Sequence, residues 1–411
     1  MKSLPQPGPE RVMDLSHIDA EAFARDVDAL HADLVANLGP ADLGHLRRYI
    51  ATGRACTVLG YATAPLFPNP VSGFLISAGI FSQWIAMHHI GHRGYDRVPG
   101  MPPRLTSKHY AQGYRRYLDW FDWMSPDAWV HEHNTLHHPR TGEEADPDLV
   151  ERNTEVVGRA PWPKFFKQVF VVLAACTWKY SYYAPNTVRE LHRAKRARAG
   201  HPDAKSAEEA ARLMFELADP GGREQWLRLV NPFTDEGRKL WFSCWAPYVA
   251  LRFGLLPALF LPLGTWAWAS VLINSLLAEL ITNVHSFMAI APNHSGDDVP
   301  RFEGHTRDRG EYYVRQVAGS VNFPGGTDLS DFMHGYLGYQ IEHHVWTDLP
   351  MLKYRQAQPR LQAICKKHGV PYVREGMLRR VGKLVGIMTG ATSMPVGLTV
   401  PAAKSARRAS A

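Results

Sequence analysis

Two long windows of this chain are almost free of charge. Positions 55–92 contain no Lys, Arg, Asp or Glu, and positions 240–288 contain only Arg252 and Glu279. A bilayer core of roughly 30 Å takes about 20 apolar residues per helix and no fewer than about 17, so each window is long enough for a helical hairpin. The pattern predicts helices over about 49–66 and 71–88, broken by Pro68-Asn69-Pro70, and over about 240–261 and 266–284, broken by Pro262-Leu263-Gly264. Arg54 then falls near a helix end, from which its side chain snorkels to the headgroups. The alternative, a pair of buried hairpins in a soluble protein, is disfavoured by the scarcity of charge.

The segment 93–239 is polar and helical in flavour. Within it lies an apolar stretch, 165–183, interrupted by Lys167 and Lys179, whose Trp178 and tyrosines suit the headgroup level of a membrane surface. The basic run that follows, 193–205, reads as a solvated or headgroup-facing surface. Residues 1–20 and the Ala-, Ser- and Pro-rich tail 391–411 are expected to be poorly ordered, leaving 21–390 as a single membrane domain. No internal repeat is visible.

The distribution of charge sets the orientation. Neither hairpin turn carries Lys or Arg, whereas His45-Leu46-Arg47-Arg48 precedes the first helix and the intervening and following segments are basic. The positive-inside rule therefore places both termini and the middle segment in the cytoplasm. Basic residues near anionic headgroups account for the net charge of +7, and no nucleic-acid motif accompanies it, so no nucleic-acid partner is expected. Residues 1–14 have no apolar core of the secretory kind, so insertion is expected to rely on the first hairpin. Cys56, Cys176, Cys244 and Cys365 are far apart and form no CxxC pair, which argues against a thiolate metal site.

The chemistry lies in three histidine groups: His88-His89-Ile90-Gly91-His92, His131-Glu132-His133-Asn134-Thr135-Leu136-His137-His138, and Gln340-Ile341-Glu342-His343-His344. Imidazole is a ligand for iron, zinc and copper, and roughly eight such rings suit two metal ions better than one. On an α-helix His88 and His92 share a face, as do His133 and His137, while His138 is turned away to address a second metal. The predicted topology brings all three groups, and His285 at the end of the fourth helix, to the cytoplasmic side. His89, His131, His294 and His334 read as neighbouring or surface residues rather than ligands. Glu132, Glu342, Asp96 and Asp331 are candidates to accept the other N–H of a ligating imidazole, and Gln340 is a neighbour of the third group. The histidine count exceeds what a zinc hydrolase needs, and iron with dioxygen fits it better. The composition also differs from soluble di-iron bundles, where Glu and ExxH supply the ligands.

At these residues the chain resembles the membrane fatty acid desaturase and hydroxylase superfamily, with boxes HxxxH, HxxHH or HxxxHH, and (H/Q)xxHH. The resemblance spans about residues 45–375, and the third box, with Gln340 in its first position and Asp348-Leu349-Pro350 after it, is most similar to front-end acyl-lipid desaturases. It implies an all-α integral membrane fold: four transmembrane helices in two hairpins, with a cytoplasmic helical cap holding a di-iron site over an acyl tunnel. It implies His88, His92, His133, His137, His138, His285, His343 and His344 as iron ligands. The activity implied is a dioxygen-dependent introduction of a double bond into a fatty acyl chain or related lipid. His89 stands where many relatives have an acidic residue, and no HPGG haem motif occurs, so electrons are expected from a separate donor, a ferredoxin or a b-type cytochrome system. The segment of about 100 residues between the second box and the third helix is one place where substrate choice can differ.

Two other readings use the same residues. A lipid hydroxylase would need the same ligands, and sequence does not separate it from a desaturase. A metal transporter would need ionisable ligands along a path within the membrane, whereas these histidines gather at helix ends and in the cap.

Overall fold

The computed structural model describes residues 11–200 and 220–399. The chain is mostly helical, and three helices are long and apolar enough to cross a membrane: Pro70–Gly91, Asp235–Leu263 and Thr265–His294. The helix expected at 49–66 forms as Pro40–Thr63 and is not among these three, because Asp42, Arg47, Arg48 and Arg54 are spread along it.

Pro40–Thr63 and Pro70–Gly91 pack backbone to backbone. A Cβ on Gly53 would lie 1.7 Å from the Ser82 hydroxyl, and one on Gly79 would lie 2.0 Å from the Thr57 hydroxyl, so neither position tolerates a side chain. The second helix starts where the Asn69 side chain accepts the Ser72 N–H, with Pro70 in the first turn. Asn274 ties this turn to the Thr265–Ile290 helix: its amide donates to Ala64 O and Phe67 O, and its oxygen accepts the Asn69 N–H.

Asp235–Leu263 contains two widened turns, Leu240–Trp245 and Ala250–Leu255, each followed within two residues by a proline, Pro247 and Pro257. A proline removes one ladder hydrogen bond and crowds the carbonyl four residues earlier, and a π-helical turn relieves both. The expected 165–183 stretch folds as Lys164–Trp178 and continues as Lys179–Tyr183. Trp178 donates to Asn283 O at 2.9 Å, while Phe165, Phe166, Val172 and Leu173 are exposed.

The rest of the chain packs at the His88 end of Pro70–Gly91. Ala20–Ala36 buries Phe23, Val27, Leu30 and Leu34 against Arg309–Ala318 and Met351–His368, helical spacing of apolar residues on one face. Buried Trp129 packs on the rings of His88, His92 and His133, Trp120 packs on Trp129, and buried Tyr354 packs on His343.

Two small sheets accompany the helices. Val12–Asp14 and Val396–Leu398 pair in parallel, with Arg301–Phe302 on the other side of Val396–Leu398, so short strands form within the ends expected to be poorly ordered. Strands of two or three residues are too short to show a period of two in sequence. Residues 1–10, 400–411 and the 201–205 part of the basic run lie outside the described residues. The second sheet pairs Val321–Asn322 with Val373–Arg374 beside the third histidine group. There Asn322 accepts the backbone N–H of Ile341 at 2.8 Å.

Candidate metal centre

His88 and His92 lie one turn apart at the end of Pro70–Gly91, with ring centroids 4.9 Å apart. The second group does not follow the α-helical geometry assumed from its spacing. His131–His137 is π-helical, and the His138 N–H bonds to His133 O five residues back. This wider turn pairs His133 with His138, whose Nε2 atoms are 3.2 Å apart. The third group sits on the short helix Gln340–Val345, where His343 and His344 point to different sides, their planes 87° apart.

The rings form two adjoining groups. His88, His92, His133, His138 and His343 place one nitrogen each within 4.8 Å of one another, and His137, His294 and His344 do the same. Nε2 of His88 and Nε2 of His343 are only 2.7 Å apart. The groups touch where His138 stacks on His344 at 4.1 Å. A third overlapping set, His133, His137 and Asp148, lies at their edge.

These rings are prepared to give lone pairs. Burial first and neighbouring imidazoles second hold His133, His138, His343 and His344 well below the ordinary histidine pKa, so they are neutral. His92 Nε2 and His344 Nε2 are buried without a hydrogen-bond partner among the described residues. A buried polar nitrogen left so is costly, and a cation between such nitrogens removes the cost. The donor set therefore fits metal ions that favour imidazole.

The outer nitrogens are held in place. His137 Nδ1 bonds Asp146 Oδ1 at 2.9 Å, and Asp146 in turn accepts N–H groups from Gly142 and Asp148. Burial opposes charge on His137, but Asp146 outweighs it and raises the pKa above the usual imidazole value. His344 Nδ1 faces Gln316 Oε1 at 3.0 Å and the Thr141 hydroxyl at 3.1 Å, His343 Nδ1 faces Tyr354 OH at 3.2 Å, and His294 Nδ1 faces Gly319 O at 3.1 Å.

Residues 65–376 match the family model described as fatty acid desaturase. The chain belongs to the fatty acid desaturase family. Over 380 residues, 90% of this chain and 79% of the relative, it is 25% identical to the NADPH-dependent stearoyl-CoA 9-desaturase of Mycobacterium tuberculosis. Shorter matches reach 35% identity over 97 residues with fatty acid desaturase 3 of Bos taurus, 23% of this chain and 20% of the relative. Delta(8)-fatty-acid desaturase 1 of Arabidopsis thaliana is 34% identical over 62 residues, 15% of this chain and 14% of the relative. The protein is thus a desaturase-like oxidoreductase.

Of the desaturase residues expected as ligands, the structure brings together His88, His92, His133, His137, His138, His343 and His344. It does not bring in His285, whose Nε2 bonds Met333 O at 2.8 Å. His294, read as a neighbour or surface residue, takes the place in the smaller group, because the chain continues past His285 through Ile290 and a further turn before reaching it. Gln340 lies beside it, its Nε2 2.7 Å from His294 Nε2. His89 bonds Gly335 O and joins neither group. His131 and His334 also lie outside both groups.

The expected orienting carboxylates are elsewhere. Glu342 accepts from Tyr372 and Asn322, and burial pushes its pKa up to about 7. Asp331 binds Arg355 and Tyr339, and Asp96 binds Ser107. Glu132 is buried, and neither of its oxygens has a hydrogen-bond partner among the described residues. A carboxylate that does bond a ring of the centre is Asp146, eight residues beyond the second group, where the proximity of Asp146-Pro147-Asp148 was the available signal.

Proposed function

We propose that this protein is a membrane di-iron desaturase that uses dioxygen to introduce a double bond into a fatty acyl chain. The observation that carries the reading is the pair of buried histidine groups, five rings and three, in contact through His138 and His344. His88, His92, His133, His138 and His343 hold one iron, and His137, His294 and His344 the other, with His133 in reach of both groups. Iron bound there supplies activation of dioxygen and removal of hydrogen from an unactivated methylene.

The chain's own residues supply position and dryness. Asp146, Gln316, Thr141, Tyr354 and the Gly319 carbonyl fix ring orientation. Trp84, one turn before His88, and Trp129, stacked on His133 at 4.6 Å, are both buried and supply apolar surface beside the rings. A methylene must be held near the reacting centre, since about 1 Å of misplacement costs on the order of a hundredfold in rate.

Pro40–Thr63 serves as the fourth span, giving two hairpins with both termini and the centre on the cytoplasmic side. Exposed Val58, Leu59, Phe242, Leu259, Ile273 and Leu280 support a lipid-facing surface, and basic residues flanking the hairpins support the orientation. The match to a stearoyl-CoA desaturase supports a long saturated acyl chain as substrate. Electrons come from a separate ferredoxin or b-type cytochrome system.

Expression in a host of known lipid profile, with fatty-acid mass spectrometry and iron analysis, tests the reading. The expected product is two hydrogens lighter than its precursor. A product heavier by one oxygen assigns a hydroxylase, and metal transport across vesicles with no dioxygen consumption assigns a transporter.

A further inference from the structure

We propose that His285, together with His89 and His45, is a positioning residue: it clamps the turn that leads into the third histidine box, in support of the desaturase reading above. The turn is Met333–Tyr336, four residues before Gln340. It contains two successive left-handed residues, Gly335 at φ 61 and Tyr336 at φ 58. Glycine adopts that conformation freely, but tyrosine does so only where its surroundings enforce it.

The enforcing contacts come from three different helices. His285, on Thr265–Ile290, bonds Met333 O through Nε2 at 2.8 Å, its ring lying 4.4 Å from Phe81. His89, on Pro70–Gly91, bonds Gly335 O through Nε2 at 3.2 Å. His45, on Pro40–Thr63, has its Nε2 2.6 Å from the Tyr336 hydroxyl. The turn is pressed into the Pro70–Gly91 helix so closely that a Cβ on Gly335 would lie 2.6 Å from Ile85. Immediately after it, Asn293 donates to Leu337 O at 3.0 Å.

A carbonyl only accepts, so His285 and His89 must carry their proton on Nε2, which leaves that nitrogen no lone pair for a metal. The three imidazoles act as hydrogen-bond donors or partners to backbone and hydroxyl. Through the turn they set where His343 and His344 begin, and so whether the third box meets the other two. What position 285 requires is an N–H donor, which glutamine supplies.

The test compares His285→Ala and His285→Gln in the purified full-length protein, before and after chelation of metal. His285→Ala is expected to lower the Tm of the chelated protein by roughly 2–4 °C, the shift of one lost buried hydrogen bond. In the untreated protein it is expected to release iron to a chelator about 10-fold more readily. His285→Gln is expected to restore both. Equal iron loss in both variants with no change in the Tm of the chelated protein overturns the proposal and makes His285 a ligand. Loss of both properties in His285→Gln also overturns it. If His285→Ala does not fold, Tyr336→Phe, which removes the His45 contact, must lower the Tm of the chelated protein, and an unchanged Tm rejects the clamp. Wild-type protein without iron would defeat the di-iron reading alone, because the Tm comparison is made without metal.

Discussion

His138 and His344 stack face to face, 4.1 Å between ring centroids and 24° between planes, and this contact joins the two histidine groups. His138 belongs to the five-ring group and His344 to the three-ring group. Removing His344 breaks the three-histidine set, leaving His137 and His294 with only His133, shared with the larger group, and Asp148 at the edge. His344→Ala is therefore expected to lower bound iron to about half and to abolish product, with the five-ring group still loaded. Iron analysis of purified protein checks this, and full retention of iron would remove His344 from the ligand set.

Asp146 holds a ring of the centre through its carboxylate. It is buried, hydrogen-bonded to His137, and itself held by two backbone N–H groups. Asparagine keeps the shape but loses the charge and allows the wrong His137 tautomer. Asp146→Asn is expected to weaken iron binding by about 10–100-fold, as loss of such outer partners commonly does. Titration of metal-free protein with ferrous iron measures it. Asp96→Asn, at a carboxylate hydrogen-bonded to Ser107, is the control and should leave affinity unchanged.

What the sequence revealed and what it hid divide along physical lines. The charge-free windows and the three boxes were legible because each is a local pattern with a known spatial period. His133 pairing with His138 was not, since the same spacing reads as α-helical and the π-helical turn arises from packing. His294 was passed over in favour of His285 because the helix expected to stop at about 284 runs on through Phe287, Met288, Ala289 and Ile290, and helix ends are poorly marked in sequence. Asp146 carries no periodic signal at all. It reaches His137 because the chain folds back after Thr141. The parallel pairing of Val12–Asp14 with Val396–Leu398 joins the two ends of the chain and leaves no local trace.

Beside that pairing lies a carboxylate whose behaviour with pH can be stated. Glu311 receives Arg307, Arg315 and Thr399, the last just beyond the Val396–Leu398 strand. Burial alone would raise its pKa, but these partners outweigh it and bring the pKa down from 4.5 to about 2. A depressed carboxylate stabilises the fold fully above the unfolded value of 4.5, and that contribution disappears as pH falls toward about 2. The Tm advantage of wild type over Glu311→Gln is thus expected to be constant above pH 4.5 and to shrink below it. An advantage unchanged down to about pH 2 would show that Glu311 does not remain ionised through these contacts.

Lys179 and Asp122 form an ion pair with both side chains fully buried, Nζ to Oδ2 at 2.5 Å, and the ammonium lies 4.9 Å from the centroid of Trp84. Trp84 is one helical turn from His88, so the pair sits close beneath the centre. Removing one partner strands a charge without water, which costs about 3–5 kcal/mol, whereas replacing both by apolar residues of similar volume is often neutral. Lys179→Met is therefore expected to destabilise by about that amount, and adding Asp122→Leu to recover most of it. Unfolding measured on metal-free protein keeps iron out of the comparison. If the double variant is no more stable than Lys179→Met, the cost lies in lost packing against Trp84 rather than in the unpaired Asp122 carboxylate.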